Sequence, residues 1–93
     1  MRTIKYTTRF KRDYKREKKS VYRATLDDLL LPIIKKLAKD IALPLSNYDH
    51  PLTGQWFDHR DCHIKPDLIL IYRKPDIKIL ELIRLGSHSE LGL

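Results

Sequence analysis

The chain is poor in cysteine and contains no long apolar run. Cys62 is the single cysteine among 93 residues, so the sequence excludes an internal disulfide and fits a reducing cytoplasm. No apolar stretch approaches the roughly 20 residues that a helix needs to cross a bilayer. No apolar segment follows the basic amino terminus. We therefore expect a cytoplasmic protein without a membrane span or a signal peptide.

The length and composition predict one folded domain. A chain of 93 residues has no room for a second hydrophobic core, and a hydrophobic fraction of 42% is enough to build the first. No internal repeat or low-complexity tract interrupts the sequence. We expect residues 1–93 to form a single domain.

Positive charge is concentrated near the amino terminus. The net charge of the chain is +7, whereas residues 1–23 contain ten Lys or Arg and two acids, a net charge of +8. One interpretation of such a run is the solvated face of a helix with no binding role. The alternative is an electrostatic contact surface for nucleic acid or for an acidic protein, and binding to it would weaken steeply with salt.

Four histidines lie in the second half of the chain, at His50, His59, His63 and His88. Imidazole is the side chain that most readily gives or takes a proton near neutral pH. Proton-transfer groups on a small basic domain indicate chemistry on a phosphodiester backbone, that is, a nuclease.

His59, Asp61 and His63 share one face of a predicted strand, which makes a zinc site conceivable. No further spaced Cys/His pair supports one, so we expect no metal.

Hydrophobic periodicity divides the chain into a helical first half and a strand-rich second half. The pattern predicts strands over residues 3–7, 55–62, 67–73 and 77–85 and helices over 8–19 and from 25 to about 41, with a kink or a displaced start at Pro32. Thr8 and Thr25 are candidate N-caps. The order β-α-α-β-β-β predicts an α+β fold, an antiparallel meander with two amino-terminal helices packed on one face.

Three motifs in the second half resemble one known family. They are Asp49-His50-Pro51-Leu52-x-Gly54-x-Trp56, Arg60-Asp61-x-His63-x-x-Pro66-Asp67-x-Ile69-Leu70-Ile71-Tyr72 and Arg84-x-Gly86-x-His88. Together they resemble the YafQ-type toxins of the RelE/ParE superfamily, the toxins of bacterial type II toxin–antitoxin systems. The resemblance is close over residues 43–91 and looser over the helical half, and it implies a RelE-like fold.

The resemblance implies an endoribonuclease, an mRNA interferase that cuts mRNA in the ribosomal A site without metal or other cofactor. In such enzymes the 2′-hydroxyl of the substrate attacks the adjacent phosphate, which requires a base, an acid and cations at the phosphate. The matching catalytic positions are His50, His63, Asp67 and His88. Arg84 matches a basic residue that faces the phosphate, and Lys65 is either a second RNA contact or a solvated side chain.

The chemistry suggests roles for these residues. We expect His50 and His88 to act as acid and base, in either order. We expect His63 and Asp67 to form a supporting pair, in which the carboxylate orients the imidazole and raises its pKa. His59 is expected to pack or to be exposed rather than to act in catalysis, and Trp56 either packs in the core or stacks on a base.

The resemblance also implies partners and one departure. The partners are a cognate antitoxin, similar to RelB or DinJ, acidic and partly disordered until it folds on the toxin, together with the ribosome and mRNA. Family members commonly carry phenylalanine where this chain has Gly92. Either activity is reduced, or Leu91 or Leu93 packs in its place. Two other functions stay open: a ParE-like toxin that acts on DNA gyrase, and a non-catalytic module that binds the ribosome or RNA.

Overall fold

Five strands and three helices follow one another along the chain in a computed structural model that describes all 93 residues. Their bounds, in chain order, are β1 Thr3–Tyr6, α1 Thr8–Glu17, α2 Leu26–Ala38, β2 His50–Pro51, β3 Arg60–Lys65, β4 Leu68–Arg73, β5 Ile79–Gly86 and α3 His88–Leu91. Single turns of 3-10 helix lie at Leu45–Asn47 and Gly54–Trp56. None of the helices is both long and apolar enough to span a bilayer.

The strands form one sheet in the order β1-β5-β4-β3-β2. The predicted α+β fold is confirmed, with the meander β3-β4-β5 antiparallel as expected. β1 instead pairs parallel with β5, so the whole sheet is mixed. A parallel pair needs a long crossover, and much of the chain lies between these two strands. The predicted strand over residues 55–62 begins only at Arg60, and the two-residue strand β2 was not predicted.

Both long helices differ in detail from the predicted ones. The N-cap of α1 is Thr7 rather than Thr8: its hydroxyl oxygen accepts from the backbone N–H of Phe10 at 3.2 Å, and its hydroxyl donates to the carbonyl of Leu82 at 2.7 Å. Thr25 makes no capping hydrogen bond. The helix α2 begins at Leu26 and runs through Pro32, so its start is not displaced. It ends at Ala38, about three residues before the predicted end, and Ile41 is exposed.

The sheet is covered on both faces, as the apolar run in β4 predicted. Both long helices pack on one face, where α1 contributes Phe10, α2 contributes five residues and alternate residues of β3, β4 and β5 complete the core. On the opposite face Ile69 and Ile71 pack against Leu91 of α3 and against Trp56. Trp56 is half-buried against this second cluster. Because side chains alternate along a strand, this second face also carries Asp61 and His63.

Candidate active site

The structure brings three of the four histidines together on the second face of the sheet. His50 on β2 lies directly opposite Asp61 on β3, and His63 is two residues further along β3. His88 is the first residue of α3, directly after β5 and Ser87. The ring centroids of His50 and His63 are 6.3 Å apart, and those of His63 and His88 are 5.3 Å apart. We call these three residues the histidine cluster.

His59 does not belong to this cluster. Its ring meets Trp56 edge-on at 5.3 Å, and its Nδ1 lies 3.1 Å from the carbonyl oxygen of Phe57. The residue is partly exposed. The prediction that His59 packs rather than acts in catalysis agrees with this position.

Asp67 pairs with His88, not with His63 as the sequence analysis expected. Its Oδ1 accepts the backbone N–H of His88 at 2.9 Å and lies 2.6 Å from His88 Nδ1. These hydrogen bonds hold the pKa of Asp67 below its usual value, with further help from the nearby His88 and His63 charges. The expectation was wrong because the turn between β3 and β4 places Asp67 at the amino-terminal end of α3, a contact between segments 21 residues apart.

The imidazole of His50 is oriented by the loop that precedes it. Its Nδ1 lies 2.8 Å from the carbonyl oxygen of Tyr48. A carbonyl can only accept, so Nδ1 carries the hydrogen, and Nε2 is left to exchange a proton with a ligand. The same reasoning applies to His88, whose Nδ1 faces the carboxylate of Asp67. Both rings thus leave Nε2 without a hydrogen bond within the chain.

Asp61 is a buried carboxylate next to the cluster. Sequence reasoning did not assign it to the site. It is 3% exposed, and its Oδ1 lies 3.1 Å from His50 Nδ1 but accepts no hydrogen bond of good geometry. Burial raises the pKa of Asp61, and the three imidazoles of the cluster oppose that rise. The alternation of residues 59, 61 and 63 already predicted that Asp61 shares a face with His63. What the alternation could not show was the burial.

The two predicted RNA contacts lie in different surroundings. The guanidinium of Arg84 is held by Asp13 of α1, with Nε 2.6 Å from Oδ2 and Nη2 3.3 Å from Oδ1. Asp13 is itself buried and also accepts the backbone N–H of Leu85 at 3.0 Å. Arg84 Nη1 makes no hydrogen bond within the chain. Lys65 is exposed at the end of β3 and lines an open cavity together with His63.

The basic amino-terminal segment presents its charge on the outer face of α1. Seven of its cations are exposed and make no ion pair: Lys5, Lys19, Arg23 and, on α1 itself, Arg9, Lys11, Arg12 and Lys15. Arg16 and Lys18, in contrast, are engaged with acidic side chains. The unpaired cations form a surface suited to an anionic partner.

The chain is similar to known toxins over almost its whole length. A family model described as a bacterial toxin of type II toxin–antitoxin system, YafQ, matches residues 2–92. The mRNA interferase toxin YafQ of Escherichia coli K12 is 34% identical over 90 residues, which are 97% of this chain and 95% of that protein. In the crystal structure of the E. coli DinJ–YafQ toxin–antitoxin complex, one chain matches with a TM-score of 0.83 and 36% identity, over 97% of this chain and 96% of that one.

A metal-bound toxin from Helicobacter pylori also matches, with a TM-score of 0.85 and 41% identity over 98% of this chain and 99% of that one. In the present chain no three His, Cys, Asp or Glu side chains are grouped so that they could hold a metal ion. The residues here do not fit such an ion, and no step of the reaction is assigned to one.

Proposed function

The chain belongs to the YafQ family of bacterial type II toxins, and from this premise we propose that it is a ribosome-dependent endoribonuclease that cuts mRNA in the A site. The observation that carries the proposal is the convergence of three imidazoles, from three separate elements, within 6.3 Å of their neighbours. A purely adhesive surface has no use for such a cluster, whereas RNA cleavage needs at least two proton transfers in each turnover.

The proposed reaction is an internal transfer within the RNA. One imidazole removes the proton of a 2′-hydroxyl, whose oxygen then attacks the adjacent phosphorus. The bond from phosphorus to the 5′-oxygen of the next nucleotide breaks, and a second imidazole protonates that oxygen. The products are a 2′,3′-cyclic phosphate and a 5′-hydroxyl, and no metal is needed. His50 and His88 carry these two roles through their Nε2 atoms.

The neighbouring residues support these two imidazoles. Asp67 fixes the ring of His88, and His63 lies between His50 and His88, where an imidazolium stabilises the charge that develops on the phosphate. Asp61 is a buried carboxylate whose Oδ1 lies 3.1 Å from His50 Nδ1. Lys65, which is exposed, and the free Nη1 of Arg84 provide further contacts to RNA.

The proposed partners follow from the charge of α1 and from the relatives. The E. coli complex joins YafQ to DinJ, and we propose that this chain is held inactive by an acidic antitoxin of the same kind. The unpaired cations of α1 are its proposed contact surface and also a contact for ribosomal RNA. Both contacts should weaken with added salt, because each neutralised phosphate or carboxylate releases counterions. Action on ribosomes places the toxin in the cytoplasm.

The test is a cleavage assay on ribosomes. Ribosomes programmed with a defined mRNA are incubated with the purified protein and EDTA, with magnesium kept in excess over the EDTA so that the ribosomes stay intact while transition-metal ions are chelated, and primer extension maps the cuts. Discrete cuts in the A-site codon, absent without ribosomes, are expected. Uncut mRNA together with gyrase-dependent DNA breaks would favour a ParE-like toxin. Ribosome binding without cleavage would favour a non-catalytic module.

A further inference from the structure

We propose that Tyr48 and the open cavity beside it form a subsite for a nucleobase of the RNA, with the ring of Tyr48 stacked on a base next to the scissile phosphate. The proposal rests on the nuclease function proposed above. It assigns a substrate-binding role to the 3-10 turn at Leu45–Asn47, which the catalytic steps do not use.

The ring of Tyr48 is both exposed and adjacent to the reactive groups. The residue is 65% exposed, although its ring centroid lies 5.0 Å from that of His50 and 5.5 Å from that of His63. The two imidazoles meet it at interplanar angles of 59° and 81°, so neither lies stacked on it. An exposed aromatic ring at this distance can stack on a base while the phosphate next to that base contacts the histidine cluster.

The backbone holds Tyr48 in a conformation that tyrosine rarely adopts. Its φ of 49° and ψ of 48° lie in the left-handed region, which is unfavourable for a bulky side chain. Three hydrogen bonds keep it there. The N–H of Tyr48 donates to the carbonyl of Leu45 at 3.0 Å, Asn47 Nδ2 donates to the carbonyl of His63 at 2.9 Å, and His50 Nδ1 donates to the carbonyl of Tyr48. Backbone strain of this kind is concentrated at ligand-binding and catalytic sites.

The cavity beside the ring has the size and polarity that a nucleotide requires. Its volume is about 620 Å³, within the range of roughly 300–1,000 Å³ that is typical of small-molecule sites. Ser46, Asn47, Tyr48, His63 and Lys65 are among the residues that line it. The hydroxyl of Ser46, Oδ1 of Asn47 and the ammonium of Lys65 make no hydrogen bond within the chain, so they are free to meet the edge of a base or a phosphate.

No other exposed aromatic ring lies against the histidine cluster. Residues 89–93 after His88 contain no aromatic side chain, and Leu91 is buried in the core under α3. Trp56 is packed in the same core. Phe57 is 73% exposed but makes no ring contact with the cluster, which makes it a matched control.

The test measures stacking directly, with RNA that cannot be cut. The probe is a single-stranded oligoribonucleotide that carries 2-aminopurine and 2′-O-methyl groups, and its fluorescence is titrated with protein. The variants are Tyr48→Phe, which keeps a ring, and Tyr48→Asn, which removes the ring but suits the left-handed backbone. Phe57→Asn is the control. Circular dichroism and thermal unfolding establish that each variant is folded.

The wild type, Tyr48→Phe and Phe57→Asn should quench the fluorescence and bind alike, whereas Tyr48→Asn should bind about tenfold to a hundredfold more weakly, since stacking on one base is lost. No quenching by the wild type, or equal binding by folded Tyr48→Asn, would overturn the subsite. Cleavage is measured separately on programmed ribosomes. Quenching that depends on Tyr48 in a protein that cuts no mRNA would contradict the nuclease and leave the subsite standing.

Discussion

A single oxygen of Asp67 accepts both hydrogen bonds that His88 offers, one from its backbone N–H at 2.9 Å and one from its Nδ1 at 2.6 Å. The first bond attaches the start of α3 to the turn between β3 and β4. The second fixes which imidazole nitrogen carries the proton. One carboxylate therefore determines both where His88 lies and which of its ring nitrogens is left free.

Replacement of Asp67 by asparagine should separate the charge of the carboxylate from its geometry. Asparagine Oδ1 can still accept both hydrogen bonds, but the negative charge that stabilises an imidazolium is gone. We expect Asp67→Asn to lower the single-turnover rate of mRNA cleavage by about tenfold or more, since general acid–base catalysis is worth roughly 10²–10⁴-fold in total. The cleavage rate of Asp67→Ala should be lower still, because α3 also loses its attachment to the turn between β3 and β4. A rate equal to that of the wild type in Asp67→Asn would show that the charge has no role.

Single alanine substitutions should distinguish the histidine cluster, which is expected to act in catalysis, from His59, which is not. His50→Ala and His88→Ala should each reduce the cleavage rate by roughly 10²–10⁴-fold, because each loses one proton transfer. His63→Ala should reduce it less, since its proposed role is only to stabilise charge. His59→Ala is the matched control and should retain the rate of the wild type. Nearly full activity in His88→Ala would contradict the assignment.

Asp61→Asn should alter the pH dependence of stability in a defined direction. Burial raises the pKa of Asp61 despite the three nearby imidazoles, and Asp49 adds to the rise. The folded protein therefore keeps this proton to a higher pH than the unfolded chain, whose carboxylate titrates at about pH 4. Ionisation of Asp61 thus makes the free energy of unfolding fall as pH rises through the interval between these two pKa values.

The asparagine variant lacks this titration. Chemical denaturation at a series of pH values should show its stability, relative to the wild type, improving as pH rises above about 4. A constant difference in stability across this interval would contradict the raised pKa of Asp61.

The Asp13–Arg84 ion pair should contribute to stability as well as to any RNA contact. Asp13 is buried, and the side chain of Arg84 is only 15% exposed. Removing one partner of a buried pair typically costs about 3–5 kcal/mol, because the other charge is left without compensation. We expect Asp13→Ala and Arg84→Ala each to lower the free energy of unfolding by an amount near the lower end of this range.

A double-mutant cycle measured by denaturation gives the coupling between these two residues. Asp13→Ala/Arg84→Ala should be more stable than the sum of the single losses predicts. Strictly additive losses would mean that the two side chains do not interact. A cleavage defect in Arg84→Ala that exceeds the one in Asp13→Ala at temperatures where both are folded would support the additional contact of Nη1 with RNA.

The parts of the fold that sequence reasoning predicted are those encoded by local patterns. The apolar run of β4 predicted a strand covered on both faces, whereas the grouping of His50, His63 and His88 was implied by the family resemblance, and the structure places their rings close together. The alternation of residues along the strand also predicted that Asp61 shares a face with His63. It did not show that Asp61 is buried, because burial depends on what packs above the strand.

The parts that were missed depend on contacts between distant segments. The parallel pairing of β1 with β5 joins the two ends of the chain. β2 is two residues long, too short to give an alternating pattern. The predicted partner of Asp67 was wrong because the capping box Ser87-x-x-Glu90 signals a helix start at His88 but not that Asp67 lies beside it, and the partner of Arg84 lies 71 residues away in α1.

The most direct test of the proposed reaction is end-group analysis of cleaved mRNA on programmed ribosomes. The wild-type protein should leave a 2′,3′-cyclic phosphate and a 5′-hydroxyl, with EDTA present to chelate transition metals and magnesium in excess over it, and a single 2′-deoxynucleotide before the scissile bond should abolish the cut. Cleavage of that 2′-deoxy substrate, or products with a 5′-phosphate, would contradict 2′-hydroxyl attack by a histidine-based site.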